Sequence, residues 1–372
     1  MRIGMEISPL IWEMSGIPNY ILRLLKGLAS IDSENEYFLY TNRPIPFDMG
    51  LPGNFREVVL SRPSPHFQLW FQLALPLRLK KDRIDLFHGL YYRLPMVLPV
   101  PGVLTVHDLS GYLYPELHTG KAHLVNLMYP FFVKKASRII AVSEFTAREL
   151  EKSFPGASGK ITVIHEAPPP EYTPIRDEIM LEKVRKRFSL PERFFLFLGT
   201  LEPRKNLTVL LDAFYSVADS IPQSLVISGG TGWKTEHIFE KLQDGITEGK
   251  VFLTGHIDSA DVQALLSMAE FFVYPSLYEG FGLPVLESMA CGTPVITSSV
   301  SSMPEISGNA ALLADPVSKD SIAEAIRTMA LDSVRRKEFS EKGLKRAGKF
   351  SWRRASEKTM DVYRSLPVWK QD

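Results

Sequence analysis

The sequence predicts an α/β protein made of two Rossmann-like, doubly wound domains, each with a parallel sheet covered by helices. Short β-rich runs alternate with longer segments of helical period from the first residues onward, which is the pattern of a parallel sheet with crossover helices. The same alternation starts again after a proline-rich break near the middle of the chain. At 372 residues, the chain is also longer than one hydrophobic core usually grows.

The first half of the chain contains five predicted strands, and the first of them is followed by a helix from about Tyr20 to Ala29. The later strands end where a polar residue appears. Because ligands of such sheets bind beyond the carboxyl ends of the strands, we expect a binding site at that edge. The five strands are MRIGMEI at the start of the chain, EYFLYT, Ile84–His88, Gly102–His107 and Arg138–Val142.

The domain boundary is predicted within the proline-rich segment IHEAPPPEYTPI, residues Ile164–Ile175. Its four prolines prevent regular structure and favour a stiff, extended connector. We therefore assign residues 1–168 to the first domain, 169–180 to a linker and 181–350 to the second domain. The predicted strands of the second domain are FFLFLGT, SLVISGG, VFLTGH, EFFVYPS and PVITSS.

Composition and charge are typical of a soluble globular protein, with 45% hydrophobic residues, 23% charged residues and a net charge of +1. A net charge this close to zero does not indicate a basic surface for binding nucleic acid. The single cysteine, Cys291, excludes an internal disulfide framework and a cysteine-cluster metal site, and it fits a reducing compartment.

Neither an export signal nor a membrane span is predicted. The N-terminus has one basic residue and no long apolar core, so we interpret it as a strand. The longest apolar stretches, such as Leu94–Val106, contain prolines and are shorter than the roughly 20 residues that a spanning helix needs. A cytoplasmic location is therefore the expectation.

The segment Glu270–Pro294, EFFVYPSLYEGFGLPVLESMACGTP, predicts a buried strand, a glycine-containing turn and a helix. Pro284 suits the first helical position. The backbone amides of Gly282 and Leu283 would then point out of the helix N-terminus, where the helix dipole and unpaired donors stabilise an anion. The segment therefore predicts a phosphate-binding turn.

Two carboxylates flank this turn. Glu287 lies one turn into the helix, where it can accept hydrogen bonds from a ribose diol, and Glu279 lies before the turn, nearer a reacting sugar. The alternative is structural: an acidic first helical turn and an exposed glutamate in a loop.

A second motif, FLFLGTLEPRKNL at Phe195–Leu207, predicts a strand that ends in a glycine turn at Gly199 and delivers Arg204 and Lys205 together. We expect both cations to lie without an adjacent acid. Arginine offers a planar fork to phosphate oxygens and lysine a compact charge, so the pair can neutralise charge on a departing nucleoside diphosphate. Solvated loop cations are the alternative.

The run E-GFGLPVL-E followed by SMACGTPV resembles the E-x7-E signature of the retaining glycosyltransferases of family 4. This family has the GT-B fold, in which two Rossmann-like domains face each other across a cleft. The resemblance implies that Glu287 binds the nucleotide ribose and that Glu279 contacts the donor sugar. GTLEPRKN resembles the family's G-x-x-x-x-x-K-N stretch, in which the basic residues grip the diphosphate.

The resemblance implies further donor contacts. Gly16 stands where the family often has a glycine pair facing the diphosphate, although this chain keeps one glycine of the pair. Gly230 lies in the turn after a second-domain strand. His107, at a strand end of the first domain, resembles the histidine that touches the donor sugar. A structural role is the alternative for each of these residues, and it is the favoured one for His88, which ends another strand.

The resemblance implies transfer of a hexose, with retention of configuration, from a nucleotide diphosphate sugar to a glycan or lipid-linked acceptor. It also implies a role in surface polysaccharide assembly, such as that of lipopolysaccharide. GTLEPRKN resembles the same segment of bacterial mannosyl- and rhamnosyltransferases, which favours GDP-mannose over a UDP-sugar. No further cofactor is expected, and no metal, because no Asp-x-Asp pair is present.

Two Rossmann-like domains also serve functions other than glycosyl transfer. A GT-B sugar-nucleotide epimerase and a non-catalytic nucleotide-sugar-binding protein both use this fold and stay open as alternatives. A nicotinamide oxidoreductase is disfavoured because no G-x-G-x-x-G follows the first strand.

Two segments outside the motifs carry expectations of their own. HFQLWFQLALPLRLKKDR at His66–Arg83 places aromatic residues and leucines before basic residues, with Pro76 interrupting the helix. This segment predicts either contact with an anionic membrane, such as the inner face of the plasma membrane, or an ordinary core helix with a basic end. Residues 351–372 resemble the family's last helix, which crosses back to the first domain.

Overall fold

The structure is a computed structural model that describes residues 1–12, 16–60, 70–117 and 127–369. The described residues form two compact units. The first contains those of Met1–Leu113, Gly120–Glu166 and Ser351–Asp372, and the second contains those of Tyr114–Thr119 and Ala167–Phe350.

The sheet of the first unit is parallel throughout, and the described strands run in the order β3-β2-β1-β4-β5-β6-β7. Strands β2 and β3 are added in turn on one side of β1, and strands β4 to β7 are added in turn on its other side. The order therefore reverses between β1 and β4. The strands are β1 (Arg2–Glu6), β2 (Glu36–Thr41), β3 (Phe55–Val59), β4 (Leu86–Gly89), β5 (Gly102–Val106), β6 (Arg138–Ala141) and β7 (Ile161–Val163).

Helices of the first unit connect these strands. Short 3-10 turns lie at Ser8–Ile11 and Pro155–Ala157. The helices are α1 (Gly16–Ala29), α2 (Leu75–Lys81), α3 (Ser110–Leu113), α4 (Tyr129–Lys135) and α5 (Glu144–Ser153), together with the C-terminal helix α14 (Trp352–Arg364).

The sheet of the second unit is also parallel, with the described strands in the order β10-β9-β8-β11-β12-β13. Here the order reverses between β8 and β11. The strands are β8 (Phe194–Leu198), β9 (Ser224–Ser228), β10 (Val251–Gly255), β11 (Phe272–Tyr274), β12 (Val295–Ser298) and β13 (Ala311–Ala314).

The helices of the second unit complete a doubly wound arrangement. Short 3-10 turns lie at Pro115–Leu117, Pro203–Lys205 and Ala218–Ser220. The helices are α6 (Glu178–Arg187), α7 (Leu207–Tyr215), α8 (Glu236–Thr247), α9 (Ser259–Met268), α10 (Leu283–Ala290), α11 (Met303–Ser307), α12 (Lys319–Leu331) and α13 (Ser333–Ala347).

The two predicted Rossmann-like folds are confirmed, and all ten predicted strands are present. The strands that sequence patterns missed are β3, β7 and β13, which are edge strands of the two sheets. Edge strands are partly exposed and therefore lack the continuous apolar run of a central parallel strand. In β3, for example, Arg56 and Glu57 are exposed.

Pro76 does not interrupt its helix, which corrects the sequence expectation. A single π-helical turn at Trp70–Ala74 leads directly into α2, and Pro76 lies in the first turn of that helix. A helical turn that is widened in this way accommodates a proline, whose missing N–H and bulky ring disturb a regular α-helix. Residues 66–69 of the predicted amphipathic segment lie outside the described residues.

The C-terminal helix α14 packs against α1 within the first unit. A Cβ atom on Gly27 of α1 would lie 2.3 Å from Ser356 Oγ and 3.0 Å from the Trp352 carbonyl, so the absence of a side chain permits this close approach. None of the helices within the described ranges combines the length and the apolar character that a membrane span requires.

His88 has a structural role, as its sequence context favours. Its Nδ1 lies 2.7 Å from the Tyr363 hydroxyl on α14, and its Nε2 lies 2.8 Å from Thr105 Oγ1 on β5. Burial, aided by the charge of His107, lowers the pKa of His88 to about 3. A neutral imidazole therefore joins two strands of the sheet to the last helix.

Candidate active site

The two predicted motifs of the second unit meet at the reversal point of its sheet. β8 pairs with β11, with Leu196 opposite Phe272, although the two strands are far apart in sequence. The loop after β8 carries the 3-10 turn Pro203–Lys205, and the loop after β11 leads through Glu279 to α10. In open α/β sheets the reversal point opens a crevice at the carboxyl ends of the strands, where ligands bind.

Arg204 and Lys205 converge on the carboxylate of Glu279. Lys205 Nζ lies 2.6 Å from Glu279 Oε1, and Arg204 Nη1 lies 2.8 Å from Glu279 Oε2. Arg204 Nη2 also lies 2.6 Å from Glu202 Oε1. The expectation that the two cations have no adjacent acid is therefore wrong, because two buried carboxylates balance them.

The Glu279 carboxylate is buried and accepts further hydrogen bonds. Ser276 Oγ donates to Oε1 over 2.7 Å, and the Tyr274 hydroxyl donates to the same oxygen over 3.0 Å. Lys205 Nζ also contacts the Tyr274 hydroxyl. Glu279 is therefore a buried acceptor and ion-pair partner, and the alternative of an exposed loop glutamate is wrong.

Burial alone would raise the pKa of Glu279. The charges of Arg204 and Lys205, with hydrogen bonds from Lys205 and Ser276, outweigh that effect and lower the pKa to about 2. Burial and the nearby Arg204 lower the pKa of Lys205, and the charge of Glu279 opposes this shift. The acid is therefore ionised at neutral pH.

Backbone contacts hold the cationic turn against the loop after β11. Asn206 adopts the left-handed conformation, with φ of +62°, and its side-chain amide donates to the carbonyls of Pro275 and Pro316. The Arg204 carbonyl accepts from Leu277 N–H over 2.9 Å, and Ser276 Oγ lies 3.0 Å from the same carbonyl oxygen. This arrangement fixes Arg204 and Lys205 before any ligand binds.

The glycines after β8 and β9 bring two backbone segments together. Gly199 N–H donates to the Ser228 carbonyl, and a Cβ atom on Gly229 would lie 2.0 Å from the Gly199 carbonyl oxygen. A Cβ atom on Gly230, by contrast, would meet nothing within 4 Å. Gly229 therefore serves packing, while Gly230 borders open space.

The turn before α10 has the predicted form with one difference. Gly282 has a φ of +102° and caps the helix, and a Cβ atom there would lie 2.2 Å from the terminal methyl carbon of Met303. Leu283 is the first helical residue, so Pro284 occupies the second position and not the first. Glu287 lies further along α10 and is half-buried.

His107 and Gly16 belong to the first unit. His107 Nδ1 lies 3.1 Å from Glu166 Oε1, and its Nε2 lies 2.9 Å from the Leu90 carbonyl oxygen. The contact of His107 with a donor sugar stays a prediction. Gly16 is the first residue of α1, so that helix begins before the predicted start near Tyr20, and Ser15 lies outside the described residues.

One residue of the site, Glu202, was not singled out from the sequence. Glu202 lies two positions before Arg204 in the same motif, and that proximity was the available signal. The predicted strand EFFVYPS contains Tyr274 and Ser276, and the structure places both of their hydroxyls on the Glu279 carboxylate. Within the described ranges, no group of three or more His, Cys, Asp or Glu side chains is arranged to hold a metal ion.

Two family models match the chain, one on each side of the proline-rich break. The model described as Glycosyltransferase Family 4 matches residues 14–170. The model described as Glycosyl transferases group 1 matches residues 181–346, which include the cationic turn, Glu279 and α10.

Similar proteins match over nearly the whole chain. O-antigen chain mannosyltransferase B of Escherichia coli is 30% identical over 382 residues, covering 98% of this chain and 100% of that protein. Sucrose-phosphate synthase from Thermosynechococcus elongatus has a TM-score of 0.78 at 22% identity, covering 98% of both chains. Anabaena HepE in complex with UDP-glucose has a TM-score of 0.74 at 18% identity, covering 98% of this chain and 100% of that one.

Proposed function

This chain belongs to the family 4 glycosyltransferases and has their GT-B fold, and we propose that it transfers mannose from GDP-mannose to a glycan or lipid-linked acceptor with retention of anomeric configuration. The observation that carries the proposal is the pair of cations, half-buried Arg204 and buried Lys205, held by one carboxylate where the strand order reverses. The name of the Escherichia coli relative supports mannose as the sugar and surface polysaccharide as the product.

The proposed reaction depends on departure of the nucleotide. The bond between the anomeric carbon and the phosphate oxygen breaks, its electron pair goes to that oxygen, and the sugar develops oxocarbenium character. An acceptor hydroxyl attacks the same face and passes its proton to the departing phosphate. Arg204 and Lys205 stabilise the negative charge that develops on the diphosphate, and because they are already fixed in place, little reorganisation is needed.

Glu279 prepares these cations for the donor. Its carboxylate holds Arg204 and Lys205 in one orientation while the site is empty of diphosphate, and it limits the cost of burying the charge of Lys205. When the diphosphate binds, its own charge adds to that of the carboxylate around the same two cations. The contact between Glu279 and the donor sugar, which the family resemblance implies, is part of this proposal.

The turn before α10 provides the second diphosphate contact. The amides of Gly282 and Leu283 lie at the N-terminus of this helix, where anions are favoured. Glu287, half-buried further along the helix, accepts hydrogen bonds from the ribose hydroxyls. Gly199 and Gly230 leave room for the donor beside the strand ends.

No cofactor beyond the nucleotide sugar takes part in the proposed reaction, and no metal ion is needed. Divalent cations commonly neutralise a diphosphate leaving group, and two fixed side-chain cations can supply the same stabilisation. Arg204 and Lys205 are placed together by one short turn, which supports this part of the proposal.

The acceptor side of the proposal includes contact with a membrane. The helix formed by the π turn and α2 buries one face and exposes Leu73 and Leu77. Met96 and Val97 are also exposed, and Met96 N–H donates to the side chain of Gln72 over 2.7 Å, so the two segments adjoin.

Basic residues follow this apolar surface at the end of α2. Lys80 and Lys81 are exposed, whereas Arg78 is paired with Asp82 over 2.7 Å. Apolar side chains next to lysines favour the surface of an anionic membrane. Such contact would keep the enzyme close to a lipid-linked acceptor at the inner face of the plasma membrane.

A thermal-shift panel tests the donor. Nucleoside diphosphates of guanine, uracil, adenine and thymine, with their common sugar conjugates, are added to the purified chain. A ligand that binds the folded state raises its stability, so GDP and GDP-mannose should give the largest shifts. Arg204→Ala and Glu287→Ala should lose the shift, whereas Arg327→Ala, an exposed arginine of the same unit, should keep it.

The outcomes separate the candidate functions. A selective shift with a uracil nucleotide would indicate a UDP-sugar donor in place of GDP-mannose. The absence of a shift with every nucleotide of the panel would contradict the proposal. If the chain binds GDP-mannose but neither transfers its mannose nor slowly hydrolyses it, the chain is a binding protein. Conversion of the donor to an epimer would identify an epimerase, and the anomeric signals of the product in NMR test retention.

A further inference from the structure

A cluster of aromatic and charged side chains lies where the strand order of the first sheet reverses. Glu6 ends β1 and Trp12 follows it, while Tyr91 and Arg93 follow β4, the neighbouring strand. The carboxyl ends of strands at a reversal point form the usual ligand crevice of an open α/β sheet. The donor site assigned to the second unit uses none of these residues.

Trp12 presents an aromatic surface to solvent. Its side chain is 42% exposed, and its ring packs edge-to-face against Tyr91 with centroids 5.3 Å apart at 79°. Tyr91 in turn packs on Tyr92, with centroids 4.2 Å apart. The indole is therefore held in one orientation by a neighbour and keeps an exposed side, an arrangement that suits stacking with a flat apolar face.

A buried ion pair supports this aromatic pair. Arg93 Nη2 lies 3.4 Å from Glu6 Oε1, and the guanidinium lies 4.5 Å from the ring centroid of Phe71 and 5.7 Å from that of Tyr91. Burial raises the pKa of the Tyr91 hydroxyl, Arg93 opposes that rise, and the charges of Asp108 and Glu6 add to it. The Arg93 guanidinium therefore lies close to the Tyr91 ring, and Glu6 balances its charge.

The loop that carries Tyr91 is held in a strained conformation. Tyr92 has a φ of +27°, which non-glycine residues seldom adopt, and its N–H donates to the Thr105 carbonyl over 3.1 Å. A Cβ atom on Gly89 would lie 2.3 Å from the Arg93 carbonyl oxygen, so this turn requires glycine. Strain of this kind persists where the surroundings fix it, most often at functional sites.

His107 is one of the groups that fix this loop. Its Nε2 donates to the Leu90 carbonyl over 2.9 Å, next to Tyr91, and its ring packs edge-to-face on Tyr20. The side chain that the family resemblance assigns to the donor sugar therefore also positions the loop of the aromatic pair.

We propose that Trp12 and Tyr91 form the platform on which the terminal sugar of the acceptor glycan stacks. This inference rests on the proposed glycosyl transfer and assigns its acceptor. The C–H face of a pyranose matches an aromatic ring, and its hydroxyls need both donors and acceptors. Arg93 is neutralised by Glu6, so the cluster lacks the net positive charge that a diphosphate would require.

Glycan binding by calorimetry in the presence of saturating GDP tests the platform. The probes are oligosaccharides that end in mannose, rhamnose, glucose or galactose. Trp12→Ala should weaken the binding of the preferred oligosaccharide by about tenfold, the effect of losing one aromatic stacking partner, and Trp12→Phe should restore most of it. Phe47→Ala, which removes another exposed aromatic side chain of the first unit, should bind like the wild type.

GDP binding is measured in the same samples, so that failure of the platform is distinguished from failure of the donor proposal. The inference is overturned if Trp12→Ala binds the oligosaccharide as tightly as the wild type, or if the wild type, with GDP bound, binds none of the four probes. Equal weakening of GDP and glycan binding would also overturn it, because Trp12 would then belong to the donor site.

Discussion

Lys205 Nζ lies 2.6 Å from Glu279 Oε1, although the two residues are 74 positions apart in the chain. The contact exists because β8 and β11 are neighbours in the sheet, so the loops that follow them adjoin. Arg204 forms an ion pair with the other oxygen of the same carboxylate. The charge balance of this cluster therefore depends on strand order.

Glu279→Gln should lower the free energy of unfolding by about 3–5 kcal/mol at pH 7, because buried Lys205 and half-buried Arg204 lose a charged partner. The pKa of this carboxyl falls from 4.5 in the unfolded chain to about 2 in the folded one. Its stabilisation is therefore present above pH 4.5 and is lost as the pH falls toward 2.

Urea denaturation of wild type and Glu279→Gln between pH 3 and pH 7 measures this difference. The difference in the free energy of unfolding between the two proteins should become smaller as the pH falls. A gap that stays constant over this range would contradict the ion-pair interpretation.

Lys205→Ala should reduce kcat by about two to three orders of magnitude, because a fixed positive charge no longer stabilises the departing diphosphate. Initial rates with saturating donor measure it. Mannosyl fluoride carries no diphosphate, so any hydrolysis of this substrate should fall much less. Lys319→Ala, an exposed lysine of the same unit, serves as the control. Equal losses with both substrates would indicate damage to the fold or to sugar binding.

Gly229→Ala and Gly230→Ala form a matched pair. The first introduces a Cβ atom 2.0 Å from the Gly199 carbonyl at a φ of +142°, so it should destabilise the chain by about 2–4 kcal/mol. The second meets nothing within 4 Å and should leave stability within about 0.5 kcal/mol of the wild type. Thermal unfolding compares them. If Gly230 borders the bound donor, Gly230→Ala should still weaken nucleotide binding.

Replacing both exposed leucines, as Leu73→Glu with Leu77→Glu, should abolish sedimentation with anionic liposomes at low salt. The change removes apolar contact and adds negative charge at the proposed membrane surface. Val317→Glu with Val334→Glu alters two exposed apolar residues of the second unit and should leave binding unchanged. Wild-type protein that stays in the supernatant would contradict the membrane proposal.

Mannosyl transfer should persist after metal removal. Dialysis against EDTA followed by rate measurements, with and without added Mg²⁺ or Mn²⁺, tests this expectation. The rate should change by less than about twofold, because Arg204 and Lys205 supply the positive charge. Loss of activity that Mn²⁺ restores would show that a divalent ion shares this role.

The folds of both units follow from local sequence features. Central parallel strands are buried on both faces and give continuous apolar runs, while helices repeat every 3.6 residues, so their alternation is visible in the chain. Edge strands such as Phe55–Val59 are not predicted in this way, because they are partly exposed and lack a continuous apolar run. The turn at Gly282 was also predictable, since glycine and proline mark a helix start.

The sequence by itself determined the family and the local setting of the candidate site, because strand ends, glycine turns and a family signature surround Arg204, Lys205, Glu279 and Glu287. Only the tertiary structure decided how they combine. Glu279 is paired with both cations, and His107 contacts Glu166 and the Leu90 carbonyl. The physical reason is that ion pairs and hydrogen bonds act over a few ångströms in space, and strand order determines which distant segments come that close.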